Sequence, residues 1–516
     1  MFTDYIDRGV AVNPDGPCLR SADGSVSLDH RQVAALSHRI AASLRNDGAV
    51  PGTRIAVYSP NNVTAFLCVL AILRAGATWV AVNPRSEPSE LAELLERAEA
   101  EILLYDAALS DRADQIMTAT PGIRMSVAFD GDSEEQFGRW LVPPGTTVPR
   151  LPFDPDAVAM MLGTGGTTGR SKVVPVTNRQ FLTMSLAYNA HMPEPTPPIY
   201  LLAPPMTHAA GISVWPTLAE GGSVILHDGV DTGAILHAIE YERVTRLFLP
   251  PTAIYALLAD PGVRDTDVSS LRHFIYAAAP MSEDKLREAL EVFGPVMTQT
   301  FGQAEAPMIA TCMAPADHAE AASDPAKAHR LRSCGRPSLV AAVEIMGDDG
   351  TVLGPHERGE IVVRGDLVMT GYHNDPDETA QTRRPGGWHG TSDIGYRDDD
   401  GFIYVVDRKR DMIITGGFNV YPSTVERVMW GHSAVLDCAV IGIPDDKWGE
   451  SVTAVVEPKD DQQITAQELI ERCKSELGSV QAPKSVIFRQ LPRSANGKVL
   501  KRQLRDEYWA GLERRV

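Results

Sequence analysis

The sequence predicts an α/β protein with a large N-terminal domain of parallel and mixed sheets, flanking helices, and a small α+β C-terminal domain. Three observations predict it. Strand and helix patterns alternate from the start of the chain, which implies a parallel sheet with helices on its faces. At 516 residues the chain is too long for one ordinary core. A dense charge run, Asp407-Arg408-Lys409-Arg410-Asp411, is followed by about a hundred residues with their own strand and helix patterns, enough for a second domain.

The elements follow in order. Val33, Leu36, Ile40 and Leu44 fall at helical spacing, and 54–58 reads as a strand. A mostly buried helix is expected over 62–73, a strand over 78–82, a helix through Leu91, Leu94 and Leu95, and a strand over 102–105. The apolar run 157–162 reads as a buried strand. The stretch 173–176 is less periodic, and a helical pattern begins at Thr177. Strand candidates recur at 199–202, 223–226 and 246–249, and residues 314–330 read as an irregular loop or short helix. From Ala341 the texture changes to short strands and turns, at 343–346, 361–363 and 401–406. Beyond the charge run, strands at 439–442, 452–456 and 485–488 alternate with helices near 422–430 and 464–477.

Between the strand at 157–162 and the helix from Thr177 lies Gly163-Thr164-Gly165-Gly166-Thr167-Thr168-Gly169-Arg170-Ser171-Lys172. Glycine lets backbone N–H groups approach an anion closely. Successive amides form an anion-binding concavity, and the hydroxyls and two cations add donors and charge. A polyphosphate suits that combination; a plain surface loop is the bland alternative. The spacing is not that of a Walker loop, because Gly169 is followed by Arg170 and Lys172 by Val173. Nor is it the dinucleotide pattern, because Thr168 stands where the third glycine belongs.

Composition narrows the class. Apolar content of 44% and charged content of 22% are those of a globular protein. A net charge of −19 disfavours nucleic acid or an anionic membrane as the main partner. Cys18, Cys68, Cys312, Cys334, Cys438 and Cys473 are scattered without metal spacing, which suits reduced thiols. No signal peptide or transmembrane run is visible, so the chain is expected in the cytoplasm.

Four further segments carry chemistry. In Thr300-Phe301-Gly302-Gln303-Ala304-Glu305, an adenine could stack on Phe301 and Glu305 could hold Mg2+. The small residues of Tyr276-Ala277-Ala278-Ala279-Pro280 leave room for a flat ring. Asp393, in Trp388-His389-Gly390-Thr391-Ser392-Asp393, suits a ribose diol or, more plainly, an Asx-turn. Lys498 follows the Asn496-Gly497 turn; in isolation it is a solvated surface lysine.

Taken together, in this order, these segments resemble the adenylate-forming superfamily of acyl-CoA synthetases, adenylation domains and beetle luciferases. The family's phosphate loop is matched by Thr164 to Val173 and its Tyr-Gly-x-Thr-Glu by Phe301 to Glu305. Its Gly-Glu-Ile segment is matched by Gly359 to Gly365 and its Trp…Thr-Gly-Asp by Trp388 to Asp393. Its hinge is matched by Arg408 and Arg410, and its Pro-x-x-x-x-Gly-Lys by Pro492 to Lys498. The resemblance implies an N-terminal AMP-binding domain over 1–407 that includes a β-barrel-like subdomain, a hinge at 408–411, and a small mobile lid over 412–516.

It also implies a reaction in two halves: a carboxylate attacks the α-phosphate of ATP, giving acyl-AMP and pyrophosphate, and a thiol, usually that of CoA, then displaces AMP. Thr164, Gly165, Gly166, Thr167, Thr168, Gly169 and Lys172 would hold the phosphates, with Thr168 acting in catalysis. Ala278, Ala279, Pro280, Thr300, Phe301, Gly302 and Ala304 would surround the nucleotide. Asp393 and Arg408 would take the ribose, Glu305 would bind Mg2+, and Lys498 would bridge the carboxylate and the α-phosphate. His208, Ala209, Gly211, Ala277 and Met308 would line the acyl pocket, whose small and apolar residues suit a medium-chain, alicyclic or aromatic acid. The lid would pivot at Arg410 and bring Gly416 and Gly417 to the CoA tunnel.

The sequence departs from the family at Gly165, Ser171, Val173, Ala304, Ser392, Arg410 and 480–484. The last puts the thiol-side contacts in question. The alternative reading is a stand-alone adenylating enzyme that passes acyl-AMP to a carrier protein or partner transferase. Either a monomer or a homodimer is compatible with the sequence.

Overall fold

The computed structural model describes residues 3–131, 134–164, 172–445, 447–459, 462–493 and 499–509. Internal contacts divide the chain into two compact units. One comprises Met1–Val343 with Val363–Arg383, the other Glu344–Val362 with Arg384–Val516.

The first unit holds two sheets. The smaller has six strands, in the order Met125–Phe129, Ile102–Asp106, Arg54–Tyr58, Thr78–Ala81, Val158–Thr164 and Lys172–Thr177. The first five run parallel. This is the expected result of strands linked by helices such as Val63–Ala75 and Pro88–Arg97. Helix Val63–Ala75 starts at an Asn62 cap and ends at Gly76 in the left-handed region, and its residues are buried nearly all round. Residues 173–176, without clear periodicity in sequence, lie in a strand that pairs antiparallel with Val158–Thr164. Buried on both faces, that strand shows no alternation to read. Its end passes directly into helix Asn178–His191 through a capping box between Thr177 and Gln180.

The second sheet has nine strands. From Arg336–Pro337 its order runs through Ala306–Met313, Met297–Gln303, His273–Tyr276, Arg246–Phe248, Ile199–Leu202 and Ser223–Leu226, ending at Pro17–Ser21 and Ser27–Asp29. The N-terminal strand Pro17–Ser21 inserts parallel to Ser223–Leu226, although five residues of Pro-Cys-Leu-Arg-Ser give no strand signal alone. Residues Pro315–Ser323 form a helix within the segment read as loop or short helix. One core gathers Leu201, Leu247, Leu257, Phe274, Tyr276 and Phe293. Another gathers Tyr58, Val80, Leu95, Leu103 and Met161.

The second unit contains the strands Trp388–Arg397 and Ile403–Arg408, which pair antiparallel within a five-stranded sheet. Its C-terminal part is a further sheet: Val435–Asp445 pairs antiparallel with Gly449–Pro458, and Ser485–Phe488 joins the latter in parallel. Helices Pro422–Trp430 and Ala466–Gln481 pack on it around Val425, Met429, Val440, Val452, Ala454 and Leu469. Among the described residues, no helix is long and apolar enough to cross a membrane. All six cysteines are buried and none is joined in a disulfide.

Candidate active site

The Gly/Thr run is bounded by a described base. The last register pair of its flanking strands is Thr164 with Lys172. Gly165, Gly166, Thr167, Thr168 and Gly169 lie outside the described residues, as does Lys498.

Glu305 is not a surface carboxylate. It sits in the two-residue turn joining Met297–Gln303 to Ala306–Met313, beside the register pair Gln303–Ala306, and is 8% exposed. Gly302 is needed at that hairpin, because a Cβ there would lie 2.6 Å from the Met308 nitrogen. The Tyr372 hydroxyl donates to Glu305 Oε1 at 2.7 Å, and the Met369 N–H donates to the Glu305 carbonyl at 2.7 Å. The Tyr372 ring lies 4.9 Å from Lys172 Nζ, and the buried Lys172 forms an ion pair with Glu378. Glu378 opens helix Pro376–Thr382, where its own N–H is capped by Asp375. Lys172, read as a phosphate ligand, is therefore already paired. Thr300 is buried on the same strand as the half-buried Phe301, Gly302 and Gln303; Ala304 follows in the turn.

Asp393 and Arg408 form a second group. They face each other across the antiparallel strands Trp388–Arg397 and Ile403–Arg408, with Arg408 Nε 2.7 Å from Asp393 Oδ1. Asp393 is 4% exposed, so an Asx-turn on a surface loop does not describe it. Buried Glu360 holds the neighbouring backbone. It receives two hydrogen bonds from Arg384, at 2.9 and 3.0 Å, and one from the Ser392 N–H at 3.0 Å. Ser392 adopts φ 61°, the left-handed region where the family places glycine.

Of the residues read as the acyl pocket, Ala277 follows strand His273–Tyr276, Met308 lies within strand Ala306–Met313, and His208, Ala209 and Gly211 lie at the short helix after strand Ile199–Leu202. His208 precedes the short helix Ala209–Ile212, and its Nδ1 is 2.9 Å from Thr207 Oγ1. Burial pulls the His208 pKa down to about 4, so the imidazole is neutral near pH 7. Gly211 owes its size to packing, since a Cβ there would lie 1.7 Å from the Met206 carbonyl oxygen. Ala277 is buried, whereas Ala278, Ala279 and Pro280 are exposed, and Ala278 has φ 73°. Met308 is half-buried with φ 59°.

Arg410 lies in a short 3-10 turn, Lys409–Asp411, whose Asp411 pairs with Arg505. Gly416 and Gly417 form the exposed bend between Ile413–Thr415 and Phe418–Val420, with φ 57° and 82°. A Cβ on Gly416 would lie 2.6 Å from the Trp448 ring. Sequence reasoning passed over Tyr372, Glu378 and Trp448, and gave Glu360, within the Gly359 to Gly365 match, no role of its own. For Tyr372 and Glu378, the available signal was Gly371-Tyr372 followed by the helix-opening Asp375-Pro376.

The comparisons with known proteins agree on one family. The AMP-binding enzyme model matches residues 6–373, and the AMP-binding enzyme C-terminal domain matches 424–498. A medium/long-chain-fatty-acid–CoA ligase of Mycobacterium tuberculosis is 37% identical, covering 96% of this chain and 88% of that protein. A feruloyl-CoA synthase of Amycolatopsis is 34% identical, covering 97% of this chain and 98% of that protein. The solved amide bond synthetase of Marinactinospora thermotolerans superposes with a TM-score of 0.87 at 29% identity, covering 98% of this chain and 100% of that one. The chain belongs to the AMP-binding enzyme family.

Proposed function

We propose that this enzyme activates a carboxylic acid with ATP to acyl-AMP and pyrophosphate, then transfers the acyl group to CoA, releasing AMP. Full-length similarity to CoA ligases is the observation that carries this reading. The preferred acid is medium-chain, alicyclic or aromatic, and the reaction takes place in the cytoplasm.

The residues take the following roles. Thr164 and the Gly/Thr run hold the polyphosphate, with Lys172 supplying charge that Glu378 offsets until phosphate arrives. Asp393 accepts from the ribose hydroxyls, and Arg408 pairs with that carboxylate and holds its direction. Lys498 bridges the attacking carboxylate and the α-phosphate. The segment 412–516 acts as a lid that pivots at Arg410 and presents Gly416 and Gly417 to CoA. No acid–base pair is required, because the carboxylate is already the nucleophile and the difficulty is charge repulsion.

Glu305 fits a divalent cation. No group of three or more metal-binding side chains occurs among the described residues, and Mg2+ is commonly held by one or two carboxylates plus substrate phosphates. When bound there, Mg2+ would neutralise charge on the phosphates.

A panel of acids, assayed for pyrophosphate release with and without CoA, tests this function. Medium-chain, alicyclic or aromatic acids should support turnover and yield acyl-CoA. Turnover only with acetate or an amino acid would refute the substrate class. Acyl-AMP that persists in the presence of CoA would favour a carrier protein or partner transferase as acceptor.

A further inference from the structure

Tyr372 joins three separate segments of the first unit. Its hydroxyl donates to Glu305 Oε1 at 2.7 Å, its ring lies 4.9 Å from Lys172 Nζ, and its N–H donates to Thr379 Oγ1 at 2.9 Å. Lys172 in turn pairs with Glu378, the neighbour of Thr379. The His373 N–H also donates to the Val173 carbonyl at 2.9 Å, which docks this segment on the strand that begins at Lys172. The side chain is thus held at its hydroxyl, at its ring and through its backbone. A phenol hydroxyl carries its proton near pH 7 and an ionised carboxylate only accepts, so Tyr372 is the donor of this pair.

A carboxylate with one oxygen fixed by a neutral donor keeps its charge and gains a set direction for the other oxygen. A cation within about 6 Å of a ring face is likewise held in place without being neutralised. We propose that Tyr372 is a positioning residue that aims Glu305 at the divalent cation carried by ATP and, through its ring, places Lys172 for the phosphates. This rests on Glu305 being the Mg2+ ligand. It extends that reading by linking the carboxylate, in a hairpin turn, and the lysine, at the start of a strand, through one side chain.

The test uses Tyr372→Phe, which keeps the ring and removes only the donor. Mn2+ binding in the presence of ATP, without acid, is followed by electron paramagnetic resonance, and pyrophosphate release is titrated with Mg2+. Affinity for Mn2+ should fall about 10-fold, and half-saturation by Mg2+ should rise by a similar factor, as expected for a lost orienting partner. The rate at saturating Mg2+ should stay within about 2-fold, because the ring still places Lys172. In a Glu305→Gln background, adding Tyr372→Phe should change Mn2+ affinity no further. Unchanged cation affinity in Tyr372→Phe, or a full additional loss in the double variant, would overturn the proposal.

Should Tyr372→Phe not fold, the 19F resonance of 3-fluorotyrosine placed at 372 should shift with Mg2+ and ATP but not with ATP and EDTA. No shift would overturn the proposal. A wild-type enzyme that neither binds Mn2+ with ATP nor releases pyrophosphate would refute the proposed function, and this inference with it. Wild-type activity alongside an unaffected Tyr372→Phe would refute the inference alone.

Discussion

Ser392 shows what a single residue costs. Its φ of 61° places a side chain in the left-handed region, and its N–H is committed to Glu360 Oε1 at 3.0 Å. Ser392→Gly should remove that strain while keeping the hydrogen bond, stabilising the protein by about 0.5–1 kcal/mol after the entropy cost of glycine. Urea unfolding measures it; a loss of stability would mean that the serine side chain contributes more than its backbone costs. Residue-scale chemistry was partly legible in sequence. Glu305 and Asp393 stood out by their neighbours, but their burial did not. Tyr372 lies 67 positions from Glu305, and nothing local to either announces the contact. Gly211 was legible as small, yet its reason is the Met206 carbonyl rather than room for a substrate.

At the scale of elements, the bend at Gly416–Gly417 and the ion pair at the start of helix Lys501–Trp509 make separate predictions. Gly416→Ala would add a Cβ 2.6 Å from the Trp448 ring at a positive φ, so the bend must shift. If this bend serves CoA, the KM for CoA should rise at least about 10-fold while CoA-independent pyrophosphate release stays within about 2-fold. Equal loss of both would assign the bend to folding instead. Half-buried Lys501 and buried Glu426 form an ion pair, with Nζ 2.6 Å from Oε1, and Glu426 also accepts from the Val440 N–H at 2.6 Å. Lys501→Met would leave the Glu426 carboxylate uncompensated, costing about 3–5 kcal/mol, and Glu426→Gln in the same chain should recover part of it. Denaturant midpoints of the wild type and the two variants decide this, and a small loss in Lys501→Met would show that Glu426 is protonated in the folded state. Long periodic elements were legible in sequence. The strand Lys172–Thr177 was not, because burial on both faces erased its alternation. The strand Pro17–Ser21 was not, because its five residues carry no strand pattern and the strand that ties it into the sheet lies some 200 residues away.

For the whole molecule, buried histidines set an acid limit. Burial lowers the pKa of His208, His273 and His318 to about 4 in the folded protein, against about 6.5 when unfolded. The unfolded chain therefore takes up protons first as the pH falls. Stability contributed by these three groups should be complete above about pH 6.5 and lost progressively toward pH 4. Asp407 and Glu426, whose pKa values burial raises, act in the opposite sense and soften the fall. Thermal unfolding followed from pH 7.5 to 4.5 should show a decreasing midpoint; a midpoint that rises toward acid would show that the carboxylates dominate.

In the proposed reaction a carboxylate oxygen of the substrate attacks the α-phosphorus of ATP. With the acid labelled by 18O in its carboxylate, the bridging oxygen leaves with AMP when CoA takes the acyl group. Mass spectrometry should find one 18O in AMP and none in pyrophosphate. Unlabelled AMP, or ADP and labelled phosphate in its place, would rule out carboxylate attack at the α-phosphorus.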